Sequence, residues 1–240
     1  MTRHAAGAAA TAAWAWMVAR RKRVQAALLE EVRRHGWRRT LYHVLLRGIN
    51  SVVRFKILRG VWIERVDPAY LTCPEPYTGQ FLTERMLRDF ARDPENDMPE
   101  SFLEEALSKG DECYGICDGT TLVAFGWYAS TPTNLDPELL VRFSGEYVYM
   151  YKGFTHVGHR GKRLHAIAMS LALQHYLSKG SRGLVSCIES DNSSSLKSST
   201  RMGYAVFGSV YVLKVFGRYA TYSSPGCKRF GFRIGPIPPP

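Results

Sequence analysis

Apolar positions along the chain follow two periods, and the switches between them place the elements. Leu164, Ile167, Ala168 and Leu171 recur at helical spacing, and Lys179-Gly180 is a stop signal. Just before them, Tyr147 to Phe154 is dense in aromatic and β-branched residues, which predicts a strand. A short basic loop, His156 to Arg163, joins the two. A strand therefore feeds a loop that becomes the first turn of a helix. The free N–H groups and positive dipole of such a turn suit a phosphate, and Arg160, Lys162 and Arg163 add full charges there. Downstream, Gly183 to Glu189 reads as a buried strand. Asp191-Asn192 caps a helix over Ser193 to Met202, Gly203-Tyr204 ends it, and Tyr204 to Phe216 is β-rich again.

Upstream, Val61 to Val66 reads as a first strand, and Thr78 to Arg92 and Pro99 to Lys109 as helices. Glu112–Cys117 and Thr121–Tyr128 form a hairpin about Asp118-Gly119. Thr131 to Pro137 reads as a loop. Val24, Leu28 and Val32 predict a helix stopping at Gly36. A second, amphipathic helix is expected over Arg38 to Arg59. Leu41, Val44, Leu45, Ile49, Val52 and Phe55 share one of its faces, and Arg39, His43, Arg47, Asn50 and Arg54 lie opposite. Gly217 to Gly235 supplies a last strand of unassigned position. Residues 236–240 form a Pro-rich tail expected to be disordered.

Charge divides the chain into blocks. Residues 1–60 carry 13 Lys+Arg and 2 acids, residues 61–150 carry 6 and 17, and residues 151–240 carry 13 and 2. An acidic block beside a basic one suits an anionic donor and an amine acceptor, or two blocks that neutralise each other within the fold. The basic stretches match no nucleic-acid-binding motif, so a nucleic-acid partner is the weakest reading. The Ala-rich stretch 1–19 is too short to cross a bilayer, and a basic cluster follows it where a signal peptide would place one before. Basic, amphipathic and rich in Trp, residues 1–60 suit an anionic membrane surface, or a contact with the domain or a second copy of the chain in a homodimer. Five scattered cysteines, with no second pair at zinc-ligand spacing beside Cys113 and Cys117, read as free thiols in a reducing compartment, with no metal.

Strand, basic turn, helix, strand, Asn, helix, Gly-aromatic, strand: over Val61 to Phe216 this order resembles the GNAT superfamily of acyl-CoA-dependent N-acyltransferases. The family's phosphate loop reads Gln/Arg-x-x-Gly-x-Gly/Ala. Arg160 takes the first place and Gly161-Lys162 follow. Arg163 stands where the family has Gly, and His165 where it has Gly or Ala. Asn192 with Gly203-Tyr204 resembles the second signature, and Ser199 stands in place of its usual Tyr.

The resemblance implies an α/β (α+β) fold with a mixed central sheet and flanking helices. Residues 61–235 would form the acyltransferase domain, and residues 1–60 a helical extension. It implies that backbone N–H groups near Phe154 and Thr155 hold the acyl carbonyl and pantetheine arm. Arg160, Gly161, Lys162, Arg163, Leu164 and His165 would hold the pyrophosphate, and Asn192 would also serve the donor. Glu146, then Glu189, are the expected bases, and Ser199 takes the place of the acid. The donor would be acyl-CoA, acetyl or longer, and the acceptor an amine of a small molecule, sugar, lipid precursor or amino acid. The protein would be cytoplasmic, peripheral to the inner membrane. A synthase of N-acyl amino acids using acyl carrier protein is the close variant. A degenerate binding module is the different class, for which Arg163, His165 and Ser199 speak.

Overall fold

The computed structural model describes residues 30, 32–33, 36–50 and 53–238. The Ala-rich stretch, most of the helix expected up to His35, and Pro239-Pro240 lie outside them. The chain divides into two compact units, residues 1–55 and 56–240.

In the first unit, helix α1 spans Trp37–Asn50. Thr40, His43 and Leu46 are buried, whereas Trp37, Leu41, Val44 and Leu45 are exposed. Spacings of four, seven and eight residues from Trp37 put those four on one face. The helix ends nine residues earlier than its periodicity predicts. Arg54–Ile63 is instead a strand, β1, because Val53, Phe55, Ile57 and Val61 are β-formers and a partner strand is available. The expected division at residue 60 falls inside this strand.

The second unit continues with β2 (Tyr77–Phe81), α2 (Glu84–Phe90), α3 (Glu100–Ser108), β3 (Glu112–Asp118), β4 (Thr121–Ala129), β5 (Thr133–Asp136) and β6 (Leu139–Arg142). It proceeds through β7 (Val148–Thr155), α4 (Leu164–Ser178), β8 (Leu184–Glu189), α5 (Ser193–Arg201), β9 (Ala205–Val215), β10 (Arg218–Ser223) and β11 (Arg233–Pro236). Eight strands form one mixed sheet in the order β10-β9-β1-β8-β7-β4-β3-β2, and β11-β6-β5 form a small one. Strands β7 and β8 run parallel, while β1–β8, β2–β3, β3–β4, β4–β7 and β9–β10 are antiparallel.

Three expectations change. The first strand, expected over Val61 to Val66, runs over Arg54–Ile63, between β9 and β8 in the sheet. The helix expected over Thr78 to Arg92 is β2 followed by α2, because Tyr77–Phe81 pairs with β3 and Thr83 then caps the helix, accepting from Met86 N–H. The loop after Thr131 contains β5. In addition, Pro236 ends β11 opposite Leu139, and Ile237 N–H donates to Glu138 O. Proline is tolerated at the end of an edge strand, where no ladder donor is needed from it.

Alternate side chains of β7 serve two cores. Val148 and Met150 join Leu164, Ile167 and Leu173 of α4, whereas Tyr147 and Tyr149 join Phe230, Phe232 and Ile234. Helix α4 buries nine residues spread around its circumference, so it is a core helix and its N-terminus is held rigidly.

Candidate active site

The pairing of β7 with β8 stops early. Only Val148↔Leu184 and Tyr149↔Val185 are in register. Beyond them β7 stays paired with β4 as far as Thr155, and β8 stays paired with β1 as far as Glu189. The sheet therefore opens between two parallel strands. A register shift between Trp127 and Tyr128 leaves Tyr151 as the extra residue of a bulge, which bends β7 where the strands part. The facing edges present backbone groups that no strand satisfies.

A cleft of about 630 Å³ occupies the opening. It is lined by Met150, Tyr151 and Gly153 to Thr155 of β7, by Ser186 to Glu189 of β8, and by Asn192, Ser199 and Tyr204. A second chamber, about 710 Å³, lies at the N-terminus of α4 and is lined by Tyr70, Arg160, Gly161, Arg163, Leu164 and Arg201. The two share Thr155, Arg160, His165, Ser198 and Met202, so they form one continuous cleft. Its deep end is a strand edge. Its outer end has three arginines and the unsatisfied N–H groups of a helix first turn.

Most of the residues expected at a donor site meet here. Arg160 Nε donates to Thr155 O at 3.2 Å, tying the loop to the end of β7. Gly161 has φ +81° and Arg163, the N-cap of α4, has φ +63°. The left-handed turn at Arg163 is a conformation that favours glycine, and arginine adopts it there at a cost. Leu164 is buried and anchors the turn. Phe154 stacks on Phe125 with ring centroids 5.5 Å apart. Asn192 Oδ1 accepts from Ser195 N–H at 3.1 Å and from Ser194 Oγ at 2.9 Å, so this side chain shapes the start of α5. Lys162 lines neither chamber, and its Nζ donates to Tyr77 OH at 2.6 Å.

His165 lines both chambers and reaches β7. Its Cε1 sits 2.5 Å from the place a Cβ on Gly153 would take. Burial pushes its pKa down, so the imidazole is neutral at neutral pH.

The acid–base candidates separate. Glu189 lines the cleft, with its carboxylate 3.3 Å from Lys56 Nζ. Ser199 lines it too, but its hydroxyl donates to Leu196 O at 2.9 Å, so that proton is already committed. Glu146 precedes β7, about 13 Å of strand from Met150, where the cleft begins. It is not among the lining residues and instead faces Arg182 Nη1 at 3.2 Å. Cys187 lines the cleft, but burial pushes its thiol up to about 11, which keeps it protonated at neutral pH. All five cysteines are free, and no cluster of metal-ligating side chains occurs among the described residues.

Tyr151 carries the cleft further. It also lines a pocket of about 260 Å³ with Glu105, Lys109, Asn134, Tyr149 and Lys152. The pocket includes Thr133 to Leu135, within the segment read from the sequence as a loop. Tyr151 OH donates to Asp111 Oδ2 at 2.9 Å, and Lys109 Nζ stands 3.0 Å from the same oxygen. The Asp111 side chain is 1% exposed, and its Oδ1 has no partner. Burial raises its pKa, opposed by Lys109 and Tyr151.

Sequence reading missed Tyr151, Gly153, Asp111 and Arg201. A bulge, a ring packed beneath a glycine, and an arginine brought in from α5 leave no local mark. Only the position of Asp111 directly before a strand was visible.

The fold and cleft together define a class: a mixed α/β sheet, opened between two parallel strands over a basic helix N-terminus. No family model matches the chain, and no curated protein matches it. Among solved structures it is similar to a putative acetyltransferase from the GNAT family of Novosphingobium aromaticivorans, at 13% identity and TM-score 0.49 over 66% of this chain and 64% of that one. It is also similar to a GCN5-related N-acetyltransferase-like protein from Streptococcus suis, at 12% identity and TM-score 0.49 over 75% and 68%. A third is AAC(6')-Iy in complex with the bisubstrate analog CoA-S-monomethyl-acetylneamine, at 14% identity and TM-score 0.42 over 53% and 89%. The chain thus spans just under two thirds of the Novosphingobium protein.

Proposed function

We propose that the protein is an N-acyltransferase that moves an acyl group from a coenzyme A thioester to an amine. The observation that carries this is the parting of β7 from β8 above the α4 N-terminus. The opening supplies unpaired backbone donors along one edge for a pantetheine arm and a thioester carbonyl. Arg160, Arg163 and Arg201, with the first turn of α4, suit phosphates. Three arginines favour the several phosphates of coenzyme A over the single phosphate of a carrier-protein arm.

The amine enters through the Tyr151 pocket. Its nitrogen attacks the thioester carbonyl carbon, the C–S bond breaks, and the thiolate leaves. A thiol pKa near ~8.5 lets it leave without a strong acid, which accommodates the committed proton of Ser199. The amine proton passes to the Tyr151 oxygen as the Tyr151 proton passes to Asp111, which is buried behind the pocket and serves as the base because its raised pKa strengthens it.

Donor titration by calorimetry tests the assignment. Arg160→Ala with Arg201→Ala should weaken acetyl-CoA binding by about 1.5–3 kcal/mol, roughly 10- to 150-fold. Glu146→Gln should leave both binding and turnover unchanged. Full affinity in the double variant, with the fold intact by circular dichroism, would remove the donor site.

Where the enzyme works is a separate proposal. Among the described residues no helix is long and apolar enough to cross a membrane. We place α1 on an anionic bilayer surface, because Trp37, Leu41, Val44 and Leu45 face outward from a segment with 13 Lys+Arg and 2 acids.

A further inference from the structure

We propose a second phosphate-binding site, distinct from the donor cleft, where β6, β10 and β11 meet. Arg142 of β6 and Arg233 of β11 stand directly opposite each other in an antiparallel register. Like charges facing across a ladder repel, so the pair is a standing cost unless something anionic lies between them. Both side chains line a cleft of about 540 Å³, which Lys228, Thr221 and Ser223 also line. Thr221 and Ser223, two apart on β10, share one face and add hydroxyl donors.

Among the described residues no acid relieves these cations. None of the cleft's lining residues is acidic, and the sequence holds no Asp or Glu after Asp191. Among the described residues, the acids four positions either side of Arg142 are engaged elsewhere. Glu138 meets Lys214 and Tyr219, and Glu146 meets Arg182. Two guanidinium forks, one ammonium and two hydroxyls suit a doubly charged tetrahedral oxyanion better than a single carboxylate. The ligand is a phosphate monoester group, borne by a free small molecule or by a lipid headgroup.

Thermal unfolding of the full chain in inorganic phosphate, against sodium chloride at matched ionic strength, separates binding from screening. Phosphate should raise the Tm of the wild type and of Arg160→Ser/Arg201→Ser beyond the chloride control. Adding Arg142→Ser/Arg233→Ser to Arg160→Ser/Arg201→Ser, so that the arginines of neither site remain, should abolish the effect. Arg142→Glu provides a second reading. It should melt higher than wild type in chloride, because attraction replaces repulsion across the ladder, and its phosphate response should be smaller, with only the donor cleft left to give one.

A response kept in Arg142→Ser/Arg233→Ser but lost in Arg160→Ser/Arg201→Ser would assign the ion to the donor cleft. That result overturns this site and leaves the proposed function standing. Absence of any phosphate response in the wild type would also overturn it. Vesicles of phosphatidylcholine with phosphatidic acid then distinguish the source. Vesicle binding at least fivefold weaker for Arg142→Ser/Arg233→Ser with phosphatidic acid, but not with phosphatidylserine at equal surface charge, identifies a headgroup. Unchanged vesicle binding with a smaller phosphate response identifies a free phosphate ester.

Discussion

Gly153→Ala tests how the donor cleft is built. The new Cβ would lie 2.5 Å from Cε1 and 3.2 Å from Nδ1 of His165, and 2.8 Å from Cε of Met150. An ordinary contact needs about 3.4 Å, so the imidazole must withdraw by about 0.9 Å and the methionine methyl by about 0.6 Å. Both are side-chain tips, but they line the donor cleft, so retreat narrows it. A methyl forced into a packed site costs about 1–3 kcal/mol. That cost should be divided between lower stability in urea melts and weaker acetyl-CoA binding by calorimetry. A double-mutant cycle locates it. His165→Ala removes the two His165 contacts, so adding Gly153→Ala to that background should change donor affinity less than threefold. A coupling of at least about 1 kcal/mol is expected for residues in contact. If Gly153→Ala costs under about 0.5 kcal/mol in total, or costs the same with and without His165, the packing argument is wrong.

Other predictions follow from the same geometry. Arg163→Gly should raise stability by about 0.5–1 kcal/mol in urea melts, because glycine accepts φ +63°, while donor affinity falls with the lost charge; reduced stability would contradict the strain at this turn. Tyr151→Phe should lower turnover by roughly 10²–10⁴ if it links the amine to Asp111. Since the base must be ionised, the rate rises with pH through a pKa that burial raises from its ordinary value. Removing a hydrogen bond to the charged form raises that pKa further, so the acid limb should move to higher pH in the variant; an unmoved limb would exclude Asp111 as the base. The same shift means that ionising Asp111 weakens the fold. Its contribution to stability is fully present below the unfolded-state pKa and is lost as pH rises through the folded one. Finally, the full chain should sediment with anionic liposomes and release at high salt, each nearby Lys or Arg contributing about 1 kcal/mol. Leu41→Asp with Leu45→Asp should abolish this, whereas a truncation near Gly60 would cut β1 and confuse anchoring with folding.

Local chemistry alone determined a good part of the molecule. The hairpin about Asp118-Gly119, helix α3 between Pro99 and Gly110, and the Asn192 cap depend on residues that act within a few positions of themselves, and each is where turn and cap preferences put it. The strand, basic loop and helix from β7 to α4 follow for the same reason, because a change of hydrophobic period is written in consecutive residues. The resemblance built on those elements then brought Arg160, Gly161, His165 and Asn192 to one cleft. Tertiary structure decided the rest. Residues 54–59 suit a helix by spacing and a strand by composition, and only pairing of β1 with β8 and β9 in the sheet chooses between them. Glu146 and Thr155 bracket the same strand, yet only the end where β7 leaves β8 lines the cleft. That parting depends on a bulge opposite β4 and on where the β8 register begins. Strand pairing is non-local, so neither the opening nor the residues that meet across it, Tyr151 with Asp111 and Arg142 with Arg233, have a period or spacing that the chain could display.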